Sequence, residues 1–330
     1  MSPVAVVTGG SAGVGRATVR ELAGRGYDVG VLARGRAGVD AAVAEVESAG
    51  RRGLALLADV ADHDAVEAAA ARVEEELGPI DVWINNAMTT VFGRVSDVSP
   101  EEYERATRVT YLGQVWGTMV ALRRMRPRNR GAIISVGSAL AYRGIPLQSA
   151  YCGAKFGVRG FHDSLRTELI DEGSEIRISE IHLPAVNTTQ FGWCRSKLAF
   201  HPQPVPPIYQ PEIAAAAIAD AIDDAPRQRL LGTWNWMLVK LSQWMPGVGD
   251  HYLASTGVDS QKTDIEIADD RPDDLFHPLD ADEDFGSHGI FDERVGGVLQ
   301  PAFLKTVPTM LGDLVRSVRA RIEQVRSRRR

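Results

Sequence analysis

Residues 4–15 read VAVVTGGSAGVG, and this stretch decides the fold. Its first five residues are small or β-branched and predominantly apolar, which predicts a buried strand over 4–8. TGGSAGVG, residues 8–15, follows that strand and opens a stretch, 13–25, of helical composition. A strand, a glycine-rich turn and a helix N-terminus in this order make a cradle for a pyrophosphate. The positive helix end attracts the anion, and Gly9, Gly13 and Gly15 carry no side chain to hold it off. Ser11, Ala12 and Val14 complete the turn, so 9–15 is the first candidate dinucleotide-binding segment.

Outward from this turn, apolar runs alternate with longer Ala-, Glu- and Arg-rich stretches. Strands are predicted at 29–33, 54–58, 81–85, 131–137, 176–182 and 229–232, and helices at 38–50, 62–77, 99–126, 151–172 and 211–224. Ser99, Pro100 and Glu102 mark the start of the fourth helix as N-cap, N1 and N3 of a capping box. The alternation predicts an α/β fold: a doubly wound, Rossmann-type parallel sheet of seven strands with helices on both faces.

After residue 232 the alternation stops. The expected organisation is a dinucleotide-binding catalytic domain over 1–232 and a C-terminal extension over 233–330. The extension begins with an apolar helix at 233–248. Residues 264–284 hold ten acidic residues against one arginine and read as a loop or tail. The end is basic, with Leu311, Leu314, Val315, Val318, Ile322 and Val325 at helical spacing. That stripe fits a packed helix or subunit contact, or a peripheral helix on an anionic membrane. Within the first domain, 184–210 carries five prolines with Phe191, Trp193, Phe200 and Tyr209, the composition of a functional loop.

Composition narrows the function. With 330 residues, 44% hydrophobic and 24% charged, the chain buries a sizeable core, and a net charge of -6 argues against a nucleic-acid partner. Cys152 and Cys194 cannot build a disulfide framework, and no apolar stretch of signal-peptide type precedes residue 4, which points to the cytoplasm. The seven histidines show no metal-ligand spacing.

The second strand indicates the dinucleotide. It ends in LARGR, residues 32–36, where NAD-binding sites commonly carry an acid for the ribose 2′-hydroxyl. With no carboxylate there and Arg34 suited to grip a 2′-phosphate, NADP(H) is expected ahead of NAD(H). Asp59 and Val60 close the third strand toward the adenine, and Asn86 and Ala87, in NNA at 85–87, close the fourth.

SALAYRGIPLQSAYCGAK, residues 138–155, supplies the chemistry. Tyr151 and Lys155 stand four apart and share a helix face. A phenol is a poor proton carrier near neutrality, and an adjacent ammonium stabilises its phenolate. Hydride loss from an alcohol requires an acceptor for the hydroxyl proton, which Tyr151 provides, while Ser138 positions the substrate oxygen.

Together, TGGSAGVG, Asp59-Val60, NNA, Ser138, YCGAK at 151–155 and LPAVNT at 183–188 resemble the short-chain dehydrogenases/reductases, in family order over residues 1–232. The resemblance implies Tyr151 as catalytic acid/base, Lys155 as the residue that tunes it and binds the nicotinamide ribose, and Ser138 as substrate-oxygen ligand. It implies nicotinamide-side contacts from Pro184, Val186 and Thr188. It also implies a homodimer or homotetramer built on the helices at 99–126 and 151–172. Two positions depart from the family pattern. Met88 replaces a glycine, and Thr110 stands where an asparagine usually completes a catalytic tetrad; a threonine can instead bond the helix backbone four residues back. The expected activity is interconversion of a lipophilic alcohol and its ketone or aldehyde. The alternative is a cofactor-binding scaffold or regulatory protein with little turnover because Thr110 breaks the water-mediated proton relay to Lys155 that the family's asparagine supports.

Overall fold

The structure, a computed structural model, describes residues 2–268 and 270–296. Its centre is a seven-stranded sheet: β1 (Val4–Thr8), β2 (Asp28–Ala33), β3 (Gly53–Leu57), β4 (Ile80–Asn85), β5 (Ala132–Ser138), β6 (Arg177–Leu183) and β7 (Gln228–Leu230), in the order β7-β6-β5-β4-β1-β2-β3. All pairings are parallel. The predicted strands all form. Helices α1 (Gly13–Gly24), α2 (Arg36–Ser48), α3 (His63–Glu76), α4 (Pro100–Thr107), α5 (Gly113–Met125), α6 (Ser149–Asp171) and α7 (Pro211–Asp224) connect or follow them.

Every residue of β1 is buried, and alternate side chains feed two cores. Ala5 and Val7 pack with Val19 and Leu22 of α1, Val39 and Val46 of α2, and Ile218 and Ile222 of α7. Val4 and Val6 pack on the opposite face with Val66 and Val73 of α3, Val120 and Met125 of α5, and Leu165 of α6. A strand covered on both faces must be apolar throughout, which is why VAVVT lacks the polar alternation of a half-exposed strand. The strand order reverses between β4 and β1, so the crevice at their carboxyl ends is where such sheets take ligands.

Two predicted helices differ in the structure. The stretch 99–126 is α4 and α5 joined by a π-helical turn, Arg108–Leu112, which directs the Thr110 side chain away from the helix backbone to a neighbouring loop. The capping box forms as predicted: the N–H of Glu102 donates to Ser99 Oγ and the N–H of Ser99 donates to the Glu102 carboxylate. The apolar stretch 233–248 breaks at Pro246 into α8 (Thr233–Trp244) and α9 (Pro246–Thr256), as expected where a proline cannot continue the hydrogen-bond ladder.

The proline-rich segment 184–210 is ordered by its neighbours. Ile208–Tyr209 pairs with Ala185–Val186, Arg195–Ser196 with Val91–Phe92, and Phe200–Pro202 with Lys262–Glu266 of the extension. From residue 270 the acidic segment runs along the carboxyl edge of the sheet as a strap hydrogen-bonded to the first 232 residues. The basic stripe from Leu311 to Val325 lies outside the described residues.

Candidate active site

The carboxyl ends of β1 and β4 are stitched together. Thr8 Oγ1 accepts from the N–H groups of Asn86 and Ala87, at 3.0 and 3.1 Å, and Asn86 Nδ2 donates to the carbonyls of Thr8 and Gly9. Gly9 has φ +64, and a Cβ there would lie 2.8 Å from the Cα of Ala87, so both its conformation and its packing demand glycine. A Cβ on Gly15 would sit 2.0 Å from the Gly9 carbonyl oxygen, so Gly15 serves the seat of α1 on the turn.

Every predicted site residue except Gly15 and Thr110 lines one cleft of about 820 Å³. Its nucleotide end holds the glycine turn, Arg34, Asp59 and Val60. Ser138, Tyr151 and Lys155 stand at the middle with Pro184, Val186 and Thr188. The far wall is apolar and includes Leu241, Met245 and Val248 of the extension.

Ser138 ends β5, and Tyr151 and Lys155 occupy the first two turns of α6. Lys155, only 2% exposed, donates from Nζ to the Val136 carbonyl at 2.6 Å and sits 5.6 Å from the centroid of the Tyr151 ring. Burial pulls its pKa down to about 7, opposed by the charge of Glu180. Burial also pushes the Tyr151 phenol up, and the hydrogen bond with Ser138 opposes that rise. Desolvation therefore outweighs the expected ammonium effect in the protein alone. The site still fits a nicotinamide riboside: protonated Lys155 has three donors and one acceptor among the described residues, and it lines the cleft.

Behind Ser138 lies a polar cluster that the sequence analysis did not single out. His182 Nδ1 stands 3.2 Å from the Ser138 carbonyl. A carbonyl only accepts, so Nδ1 carries the proton and Nε2 is left as an acceptor. Burial lowers His182 to about 4 and raises Glu180 to about 7. Glu180 Oε2 lies 3.6 Å from His182 Nε2, and Gln228 links Glu180 to the Tyr142 hydroxyl. The available signal was the pair of ionisable residues in the otherwise apolar RISEIHL of β6.

Thr110 is fully buried and off the cleft. Its hydroxyl donates to the Thr89 carbonyl at 2.7 Å and accepts from the Thr89 N–H at 3.0 Å. The expected partner, the carbonyl four residues back, is thus replaced by another loop. Gln114, one turn later, shares the lysine's acceptor: its Nε2 donates to the Val136 carbonyl at 3.4 Å.

Arg34 corrects a premise of the sequence reading. No carboxylate follows β2 in sequence, yet the strap brings Asp274 and Asp280 close enough to act on Arg34, along with Asp59. Arg34 Nη2 donates to the Asp274 carbonyl and Nη1 to that of Leu275, at 3.5 Å. Asp59, expected at the adenine, accepts from Arg105 at 2.6 Å and from the N–H of Ala61. Cys152 and Cys194 are buried, and burial raises both thiols.

A doubly wound parallel sheet with a glycine turn at its switch point, and a serine, tyrosine and lysine converging beside it, defines a nucleotide-dependent oxidoreductase of the α/β class. Residues 3–197 match the family model described as short chain dehydrogenase, and the chain belongs to this family. It is 31% identical over 260 residues to the uncharacterized oxidoreductase YxnA of Bacillus subtilis, covering 78% of this chain and 73% of that one. Versicolorin reductase of Emericella nidulans is 33% identical over 190 residues, 57% of this chain and 70% of its own. Among solved structures, the alcohol dehydrogenase of Thermococcus sibiricus complexed with 5-hydroxy-NADP superposes with a TM-score of 0.60 at 26% identity, covering 69% of this chain and 94% of that one.

Proposed function

We propose that this protein is a nicotinamide-dependent oxidoreductase that interconverts a lipophilic alcohol and its ketone or aldehyde. The observation that carries the reading is the convergence of Ser138, Tyr151 and Lys155 in a cleft whose far wall is apolar. Bound in that cleft, the nicotinamide supplies or accepts the hydride. Tyr151 moves the proton at its phenolic oxygen, and Ser138 orients the substrate oxygen beside it. Lys155 offers its remaining donors to the nicotinamide ribose and, when protonated, favours phenolate. The apolar wall from α8 and α9 suits a lipophilic substrate. Assembly as a homodimer or homotetramer fits Tyr103, Met119 and Phe156, large side chains left exposed on α4, α5 and α6.

For the dinucleotide, Arg34 supports NADP(H) by residue type and position. The acidic strap beside it supports NAD(H). The activity is tested by following NADPH and NADH absorbance with a panel of medium-chain and aromatic aldehydes and ketones. Turnover of any of them that is lost in Tyr151→Phe upholds the reading; binding of nucleotide without turnover of any would favour the scaffold instead.

A further inference from the structure

The dinucleotide end of the cleft is bordered by residues 274–286 of the C-terminal extension. A 2′-phosphate carries close to two negative charges and needs donors, and this region offers two sets: the Arg34 fork and the first N–H groups of α2. The strap occupies both. Arg34 donates to the carbonyls of Asp274 and Leu275. At the N-terminus of α2, the N–H of Ala37 donates to the Ala281 carbonyl at 3.1 Å and that of Gly38 to the Asp280 carbonyl at 3.2 Å. The strap also meets the pyrophosphate turn, where the N–H of Gly13 donates to the Gly286 carbonyl at 3.1 Å. Arg36, the other arginine here, is 67% exposed, lies 3.9 Å from Asp40 and does not line the cleft.

Among these contacts sits Asp280, 4% exposed and part of the cleft lining. Its carboxyl is wedged into the space left by two absent side chains: a Cβ on Gly35 would lie 1.8 Å from Oδ1, and one on Gly38 would lie 2.5 Å from Oδ2 and 3.0 Å from the Cβ of Ser11. Oδ2 is buried and has no hydrogen-bond partner among the described residues. A buried carboxylate oxygen without a donor is costly, which marks it as an acceptor for a group outside the chain. Ribose hydroxyls are donors of the right chemistry, and a phosphate would add like charge.

We infer that the C-terminal strap sets the cofactor specificity of this enzyme: Asp280 supplies, from about 245 residues downstream of β2, the acid that receives the adenosine ribose, and the strap excludes a 2′-phosphate in favour of NAD(H). The inference rests on the nicotinamide-dependent reading above. It is particular to this chain because the selecting residue lies in the extension and not at the end of β2. The strap is anchored on both sides of Asp280. Leu275 is fully buried against Val91 and Ala106, and Asn187 holds the other end by accepting from the N–H of Phe291 and donating to Asp292.

The experiment is calorimetric titration of the full-length protein with NAD⁺ and NADP⁺, in the wild type, Asp280→Asn and Gly38→Ala. The asparagine keeps the shape and removes the charge. The alanine keeps every charge and pushes its Cβ into the Asp280 carboxyl, displacing the strap while suiting a helix interior. Wild type should bind NAD⁺ at least tenfold more tightly than NADP⁺, and both variants should narrow that ratio at least tenfold with the circular dichroism spectrum retained. Should Asp280→Asn fail to fold, Gly38→Ala alone decides the same ratio. Wild type that binds NADP⁺ as tightly as NAD⁺, or an unchanged ratio in the folded variants, overturns the inference and leaves the oxidoreductase reading intact. Wild type that binds neither nucleotide overturns both.

Discussion

The hydroxyl of Thr110 is held at both ends by the backbone of Thr89, donating to its carbonyl at 2.7 Å and accepting from its N–H at 3.0 Å. This pair fixes the loop after β4 onto the π-helical turn, so the hydroxyl has a structural role to lose. Thr110→Ala should keep activity within a few-fold of wild type but lower stability by about 1–3 kcal/mol, the cost of leaving a buried polar group unpaired. Thr110→Ser should restore the stability. Urea unfolding and steady-state rates check both halves. Activity that collapsed in Thr110→Ala to the level of Tyr151→Phe would make the threonine a relay member after all.

Tyr151→Phe removes the phenolic oxygen and little else. Turnover should fall by roughly 10²–10⁴-fold, the range of general acid–base catalysis, while the nucleotide dissociation constant stays within a few-fold. Equal losses in binding and turnover would assign Tyr151 to the nucleotide site alone.

Glu180 gives a pH dependence whose sign is set by burial. Its folded-state pKa of about 7 lies above the ordinary carboxylate value of 4.5, so the native state holds the proton more tightly. The associated stability is fully present below about pH 4.5 and is lost as pH rises through about 7. Protonated, Glu180 can donate to His182 Nε2; ionised, it is a buried charge. The stability difference between wild type and Glu180→Gln should therefore fall by about 3 kcal/mol, as an order of magnitude, between pH 4.5 and 8. Denaturant unfolding at the two pH values measures it, and a difference that does not change with pH would mean that folding leaves the carboxyl's pKa unshifted.

Assembly should depend on the exposed side chains of α5 and α6. Light scattering at micromolar concentration should report a dimer or tetramer for the wild type, with Met119→Glu or Phe156→Glu shifting it toward monomer. A monomeric wild type would reject this surface as a subunit contact.

The local chemistry was legible in the chain. VAVVT, TGGSAGVG and the Tyr151–Lys155 spacing encode a buried strand, a glycine turn and a shared helix face, because each depends on neighbours within a few residues. The capping box at Ser99 was legible for the same reason. The environment of those residues was not. Arg34 in LARGR reads as a free phosphate ligand until the strap places Asp274, Leu275 and Asp280 around it, from residues about 240 positions away. Lys155 reads as an ammonium that lowers a phenol, whereas burial lowers its own pKa to about 7.

The sequence by itself determined the sheet, the glycine turn and the identity of the reactive groups, since periodicity, turn chemistry and residue type are local properties. Only the tertiary structure decided which donors at the nucleotide end remain free, where Thr110 directs its hydroxyl, and that Glu180 and His182 stand behind Ser138. Those outcomes depend on desolvation and on contacts between segments far apart in the chain, and neither is a function of spacing along it.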